Sequence, residues 1–192
     1  MKKSLTVCKV VALAFVIAFA FTAAAFAQEA TYVGNSQCKI CHNKKEEGEQ
    51  WTKWKASEHS KAFEKLSSPE AKAAATKAGV TKAPAEAPEC LQCHVTGADA
   101  ATGKCPDKIQ AADGVQCESC HGPASLHTAE GKKFKSGDKT AEPAKKINGH
   151  PTADTCKKCH NEKNPTAKAG EAFDFDKMKA KIDHSNPTKA KK

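Results

Sequence analysis

Val115-Gln-Cys117-Glu-Ser-Cys120-His121-Gly-Pro-Ala-Ser-Leu-His127 is the stretch on which the reading of this chain turns. Its first half holds the pattern Cys-x-x-Cys-His. The same pattern stands at Cys38-Lys-Ile-Cys41-His42, Cys90-Leu-Gln-Cys93-His94 and Cys156-Lys-Lys-Cys159-His160. Cys-x-x-Cys-His is the attachment signature of a c-type haem. Two thiols add across the two vinyl groups on one edge of a porphyrin. Residues three and four apart share a helix face, so the histidine that follows swings under the ring to bind iron. Zinc sites and redox dithiols also use paired cysteines, but neither requires a histidine directly after each pair. Histidine is 8 of 192 residues, so four coincidences have a chance of roughly one in a few hundred thousand. The sequence therefore implies four covalent haem c groups, held by Cys38, Cys41, Cys90, Cys93, Cys117, Cys120, Cys156 and Cys159.

Working outward, the other four histidines are His59, His127, His150 and His184. With His42, His94, His121 and His160 as first axial ligands, these match the number of second ligands that four six-coordinate irons need. His59 falls in a stretch from about 44 to 66, where Trp51, Lys55, His59, Ala62, Phe63 and Leu66 keep three- and four-residue steps. The spacing predicts one helix with His59 on its apolar face. His127 stands too close to His121 to reach round the same haem, so it is expected to serve another. His150 sits in the turn Asn148-Gly-His-Pro151. His184 ends a predicted helix from Asp174 to Asp183, in which Phe175, Met178 and Ile182 form a stripe, with Met178 expected in packing. Ser68-Pro69-Glu70 reads as an N-cap followed by proline in the first helical turn, and Gly79 as a stop.

Few apolar residues remain for an ordinary interior, since aromatics are only 6% of the chain. Haems are expected to supply it. The expected fold is mainly α with long loops, a multihaem cytochrome c fold with the haems as core. Residues 1–27 read as a cleaved signal peptide: Lys2, Lys3 and Lys9, an apolar run from Val10, and Ala25-Phe-Ala27 before the cut. Residues 28–192 then form one tetrahaem domain with no membrane span, periplasmic or extracellular. Cys105 is left without a motif.

The formal charge is +9, from 31 lysines and no arginine. Without residues 1–27 it is +6, with 28 lysines against 22 acidic residues. Export, and the lack of the guanidinium fork that clamps phosphates, argue against nucleic acid. Haem propionates and ferric charge would bring the sum to about +2 oxidised and about −2 reduced, so local lysine patches are expected to guide redox protein partners.

The chain resembles the cytochrome c-554 family of tetrahaem cytochromes. The resemblance rests on Trp51 and Ser57-Glu-His59 after the first motif, Cys90 to Gly97, Val115 to His127, and Ile182-Asp-His184. It implies an electron carrier with crossed ligand pairs: His42 with His127, His121 with His59, and His160 with His184. It also implies a five-coordinate haem on His94, for which this chain offers His150. Two alternatives stay open: an enzyme reducing a nitrogen oxide or peroxide at that iron, and an oligomer or filament subunit with a histidine donated between copies.

Overall fold

The structure is a computed structural model that describes residues 28–142, 149–167 and 172–187. The expected signal peptide lies outside the described residues. Among the described residues the regular structure is helical, with no strand, and long loops join short helices. These are α1 (Asn35–His42), α2 (Gln50–Ala56), α3 (Pro69–Lys77), α4 (Pro88–His94), α5 (Cys117–His121), α6 (Ser125–Lys135), α7 (Ala153–Lys157) and α8 (Phe175–Ile182). Three of them, α1, α4 and α5, end on a Cys-x-x-Cys-His motif, and α7 reaches only the first cysteine of the fourth. No described helix is long and apolar enough to cross a membrane.

Local chemistry sets the ends of these helices. The Ser68 hydroxyl accepts from the Ala71 amide at 3.1 Å, with Pro69 in the first turn of α3. Asp174 caps α8 by accepting from the Lys177 amide at 3.0 Å. Gly122 closes α5 at φ 82°, a conformation open to glycine at little cost. The Ser68 cap with Pro69 and the helix start at Asp174 agree with the sequence.

The single helix expected over 44–66 is not formed. It divides into a 3₁₀ turn (Lys45–Glu47), α2, and two further 3₁₀ turns, His59–Lys61 and Glu64–Ser67. Gly48 and Glu49 take positive φ, 105° and 51°. A Cβ on Gly48 would lie 2.8 Å from the Ser185 carbonyl oxygen, so the C-terminal segment passes against this break. Beyond α2, Ser60 Oγ donates toward the carbonyls of Lys55 and Ser57 at 2.8 and 2.9 Å. That side chain takes the place of continued helical bonding.

The conventional apolar core is small. Leu66, Leu91, Val95 and Ile109 are buried together, with Tyr32, Phe63, Cys90 and Cys105 packed against them. This cluster lies around the second motif. Around the third motif the interior is polar instead: Asn35, Thr96, Gln116 and Glu118 are all buried. Gln116 Oε1 accepts from the Asn35 amide at 3.1 Å, and Thr96 Oγ1 accepts from the Gln116 amide at 2.7 Å. The Glu118 carboxyl oxygens accept from the amides of Val33, Gly34 and Ala124 at 2.8–3.0 Å. One side chain thus ties the segment before α1 to the turn before α6. Glu118→Ala leaves three buried N–H groups unpaired, at about 1–3 kcal/mol each. Chemical denaturation of the holoprotein is expected to show a loss of at least about 3 kcal/mol, with Glu118→Gln clearly milder because one oxygen still accepts.

Candidate haem centres

The first three motifs lie within helices, and the fourth begins in α7 and closes as a turn in which the Cys159 and His160 amides donate to the Cys156 carbonyl at 3.2 and 2.9 Å. All nine described cysteines are free thiols and half-buried. Their contacts order the motifs in space. Cys38 and Cys117 share a hydrogen bond, which raises the Cys38 thiol and lowers that of Cys117. Cys93 accepts from Cys159, which brings its value down to about 7. Burial, and then the neighbouring Cys156, push Cys120 up to about 11. The first motif therefore adjoins the third, the third adjoins the fourth, and the fourth adjoins the second.

Six of the eight histidines meet as ring pairs. His42 and His127 have centroids 5.9 Å apart, His59 and His160 5.9 Å, and His121 and His184 6.0 Å. Two imidazoles binding one metal at about 2.0–2.1 Å per bond place their centroids about 6 Å apart. The spacing fits an iron between the rings.

The first pair is the one the family resemblance implies. The other two exchange partners: His59 meets His160 rather than His121, and His121 meets His184. Two anchors hold this arrangement. The His121 ring nitrogen Nδ1 bonds the Gly149 carbonyl at 3.0 Å. His160 is stacked on Phe173, with centroids 5.1 Å apart, and offers its remaining side to His59. The His59 turn is itself held where Gly114 passes, because a Cβ there would stand 2.6 Å from the His59 carbonyl oxygen.

Hydrogen bonding prepares the rings for metal. His94, His121 and His184 each set Nδ1 against a carbonyl, those of Ala62 (2.7 Å), Gly149 (3.0 Å) and Ile182 (2.7 Å). A carbonyl only accepts, so Nδ1 is the donor and a neutral ring keeps the Nε2 lone pair for iron. Nδ1 of His127 is buried without a hydrogen-bond partner, an expensive state for a polar atom unless it binds something else. With the donor set, this shows that the residues fit covalent haem. Among the described residues no three His, Cys, Asp or Glu side chains converge to hold a bare metal ion.

Burial lowers the pKa of His59, His121 and His160, and neighbouring histidines add to it at the first two. Each ring is held neutral, the ligating form. A histidine depressed in the fold contributes stability that is complete above the ordinary value of 6.5 and is lost as pH falls through the folded value. Acid titration is thus expected to leave the visible spectrum unchanged from pH 8 down to about 6.5 and to release ligands only below it.

His94 meets no histidine ring among the described residues. His150, expected as its second ligand, is exposed, and its charge is felt at His121 instead. Met178 is exposed rather than packed. Cys105 donates toward the Ile109 carbonyl at 3.6 Å and rests on the small apolar cluster. Glu118, Gln116, Thr96 and Phe173 had no role in the sequence reading. Only the polar residues inside Gln116-Cys-Glu-Ser hinted at them.

Four Cys-x-x-Cys-His motifs, three of whose histidines stand about 6 Å from a second imidazole, define a multihaem c-type cytochrome. Residues 37–122 match the family of cytochrome c554 and c-prime. The chain is 33% identical over 144 residues to cytochrome c-554 of Nitrosomonas europaea, a match covering 70% of this chain and 59% of that protein. The match thus spans about three-fifths of the relative's length. A solved structure of cytochrome c554 from the same organism, in its reduced state, superposes with a TM-score of 0.55 at 28% identity, covering 82% of this chain and 86% of that one. The chain is thus similar to members of the cytochrome c-554 family over most of its length.

Proposed function

We propose that this protein is an exported tetrahaem electron carrier. The observation that carries the reading is the pairing of imidazole rings 5.9–6.0 Å apart, which would leave an iron held between them no face for substrate. Cys38 and Cys41, Cys90 and Cys93, Cys117 and Cys120, and Cys156 and Cys159 would hold the four haems. The axial pairs would be His42–His127, His59–His160 and His121–His184, with His94 alone on the remaining iron. Bound haem supplies reversible one-electron iron chemistry. The chain's own residues fix ring orientation, keep the imidazoles neutral and exclude water. The contact order of the motifs supports a path running from the first through the third and fourth to the second. The partners would be redox proteins, met in the periplasm or outside the cell.

A second reading has one observation in its favour. His94 has its Nδ1 fixed by Ala62 and no opposing histidine, so its iron would present an open face to a small ligand such as a nitrogen oxide. Spectra of the oxidised holoprotein test both readings. Three low-spin irons and one high-spin iron per chain are expected, with nitric oxide shifting only the high-spin part. Four high-spin irons would end the carrier reading. Four low-spin irons would end the second.

A further inference from the structure

Among the described residues three large apolar side chains are exposed, and two of them stand in one place. Ile40 is 60% exposed and Phe134 is 77% exposed. Ile40 lies between the two cysteines of the first motif. Phe134 lies two turns beyond His127 on α6, and residues seven apart share a helix face. The His42–His127 pair joins α1 to the start of α6, and Lys135 Nζ reaches the Ile40 carbonyl at 3.4 Å near its end.

Cations surround this patch. Lys39 lies 4.4 Å over the Trp51 ring. Lys132 and Lys135 close the last turn of α6. The nearby Lys133 is paired with Glu130, but Lys39, Lys132 and Lys135 meet no carboxylate among the ion pairs of the described residues. The thioether edge of a c-type haem is opposite its propionates, so the lysines around Ile40 lie on the side away from that haem's own carboxylates. Apolar groups within a ring of one charge are the pattern of a transient docking face.

We propose that Ile40 and Phe134, ringed by Lys39, Lys132 and Lys135, dock an acidic electron-transfer protein at the edge of the haem on the first motif. The proposal rests on the carrier reading and adds where electrons pass in or out. An acidic protein is the fitting occupant because Lys39, Lys132 and Lys135 stand around the patch without a carboxylate in ion-pair contact among the described residues, an excess of positive charge that would repel a second copy of the same face.

The test uses the holoprotein and, as probe, fully reduced flavodoxin, a small acidic one-electron donor. One electron leaves the anionic flavin hydroquinone, giving the neutral semiquinone, and reduces one ferric iron. Stopped-flow rates are read against ionic strength. Lys132→Glu with Lys135→Glu is expected to slow reduction about tenfold at low salt and to flatten the salt dependence. Phe134→Ser is expected to slow it about fivefold with the salt dependence kept. Lys72→Glu with Lys77→Glu on α3 makes the same charge change and is expected to stay near the parent rate. Equal rates in all variants, with the parent reduced normally, would overturn the docking face alone. A parent that flavodoxin cannot reduce would overturn the carrier reading beneath it. A changed haem spectrum in Phe134→Ser at an unchanged rate would assign Phe134 to haem packing. A dimer of the parent that Phe134→Ser dissociates, again at an unchanged rate, would assign the face to a second copy. Either result would overturn the proposal.

Discussion

Replacing Cys117 and Cys120 together by serine will lower the haem count from four to three per chain and will cost more stability than the same change at Cys90 and Cys93. The third motif has no apolar cluster to fall back on. Its neighbours Asn35, Thr96, Gln116 and Glu118 are buried polar groups whose bonds connect α5 to the segment before α1. Without a haem against α5, water enters and those bonds compete with solvent. The loss is expected to exceed about 5 kcal/mol, beyond the usual range for substitutions. The second motif sits instead against Leu66, Leu91, Val95 and Ile109. That cluster keeps part of its packing when its haem is lost. Guanidinium unfolding of both variants, followed by far-UV circular dichroism, checks the order. A second-motif variant as unstable as the third-motif variant would contradict it.

The partner of His59 gives the second large effect. In the oxidised holoprotein, His59→Gly is expected to convert one low-spin iron to high-spin. That iron is the one on His160, because the two rings stand 5.9 Å apart. The fourth-motif haem can be removed by Cys156→Ser, Cys159→Ser and His160→Ala. In that background His59→Gly should then add no further high-spin signal, since its iron is already gone. The pairing of His59 with His121, which the family resemblance implies, predicts the opposite: one additional high-spin iron. Integrated electron paramagnetic resonance of the two backgrounds separates the cases. A new signal in the second would contradict the ring geometry.

These effects show what the sequence made legible. The four motifs were readable because covalent chemistry demands fixed spacing within one turn of chain. The cap at Ser68 and the start of the helix at Asp174 were readable for the same local reason. The pairing of histidines was not, since it depends on where Gly149, Phe173 and the C-terminal segment bring distant rings. The helix expected over 44–66 failed because its apolar spacing ignored Gly48, Glu49 and the back-bonding hydroxyl of Ser60. His150 was counted as a ligand by number alone, and its exposed position beside His121 had no signature in sequence. Glu118 was hidden for another reason. An acidic residue between two cysteines reads as surface until three amides from elsewhere in the chain are seen to close on it.

Haem counting on the purified protein, made in a host that matures c-type cytochromes, tests the central claim most directly. Alkaline pyridine spectra together with intact mass after denaturation should give four porphyrins per polypeptide, all retained once the chain is unfolded. A colourless chain, or pigment that leaves with the denaturant, would show that the interior is not built on covalent haem.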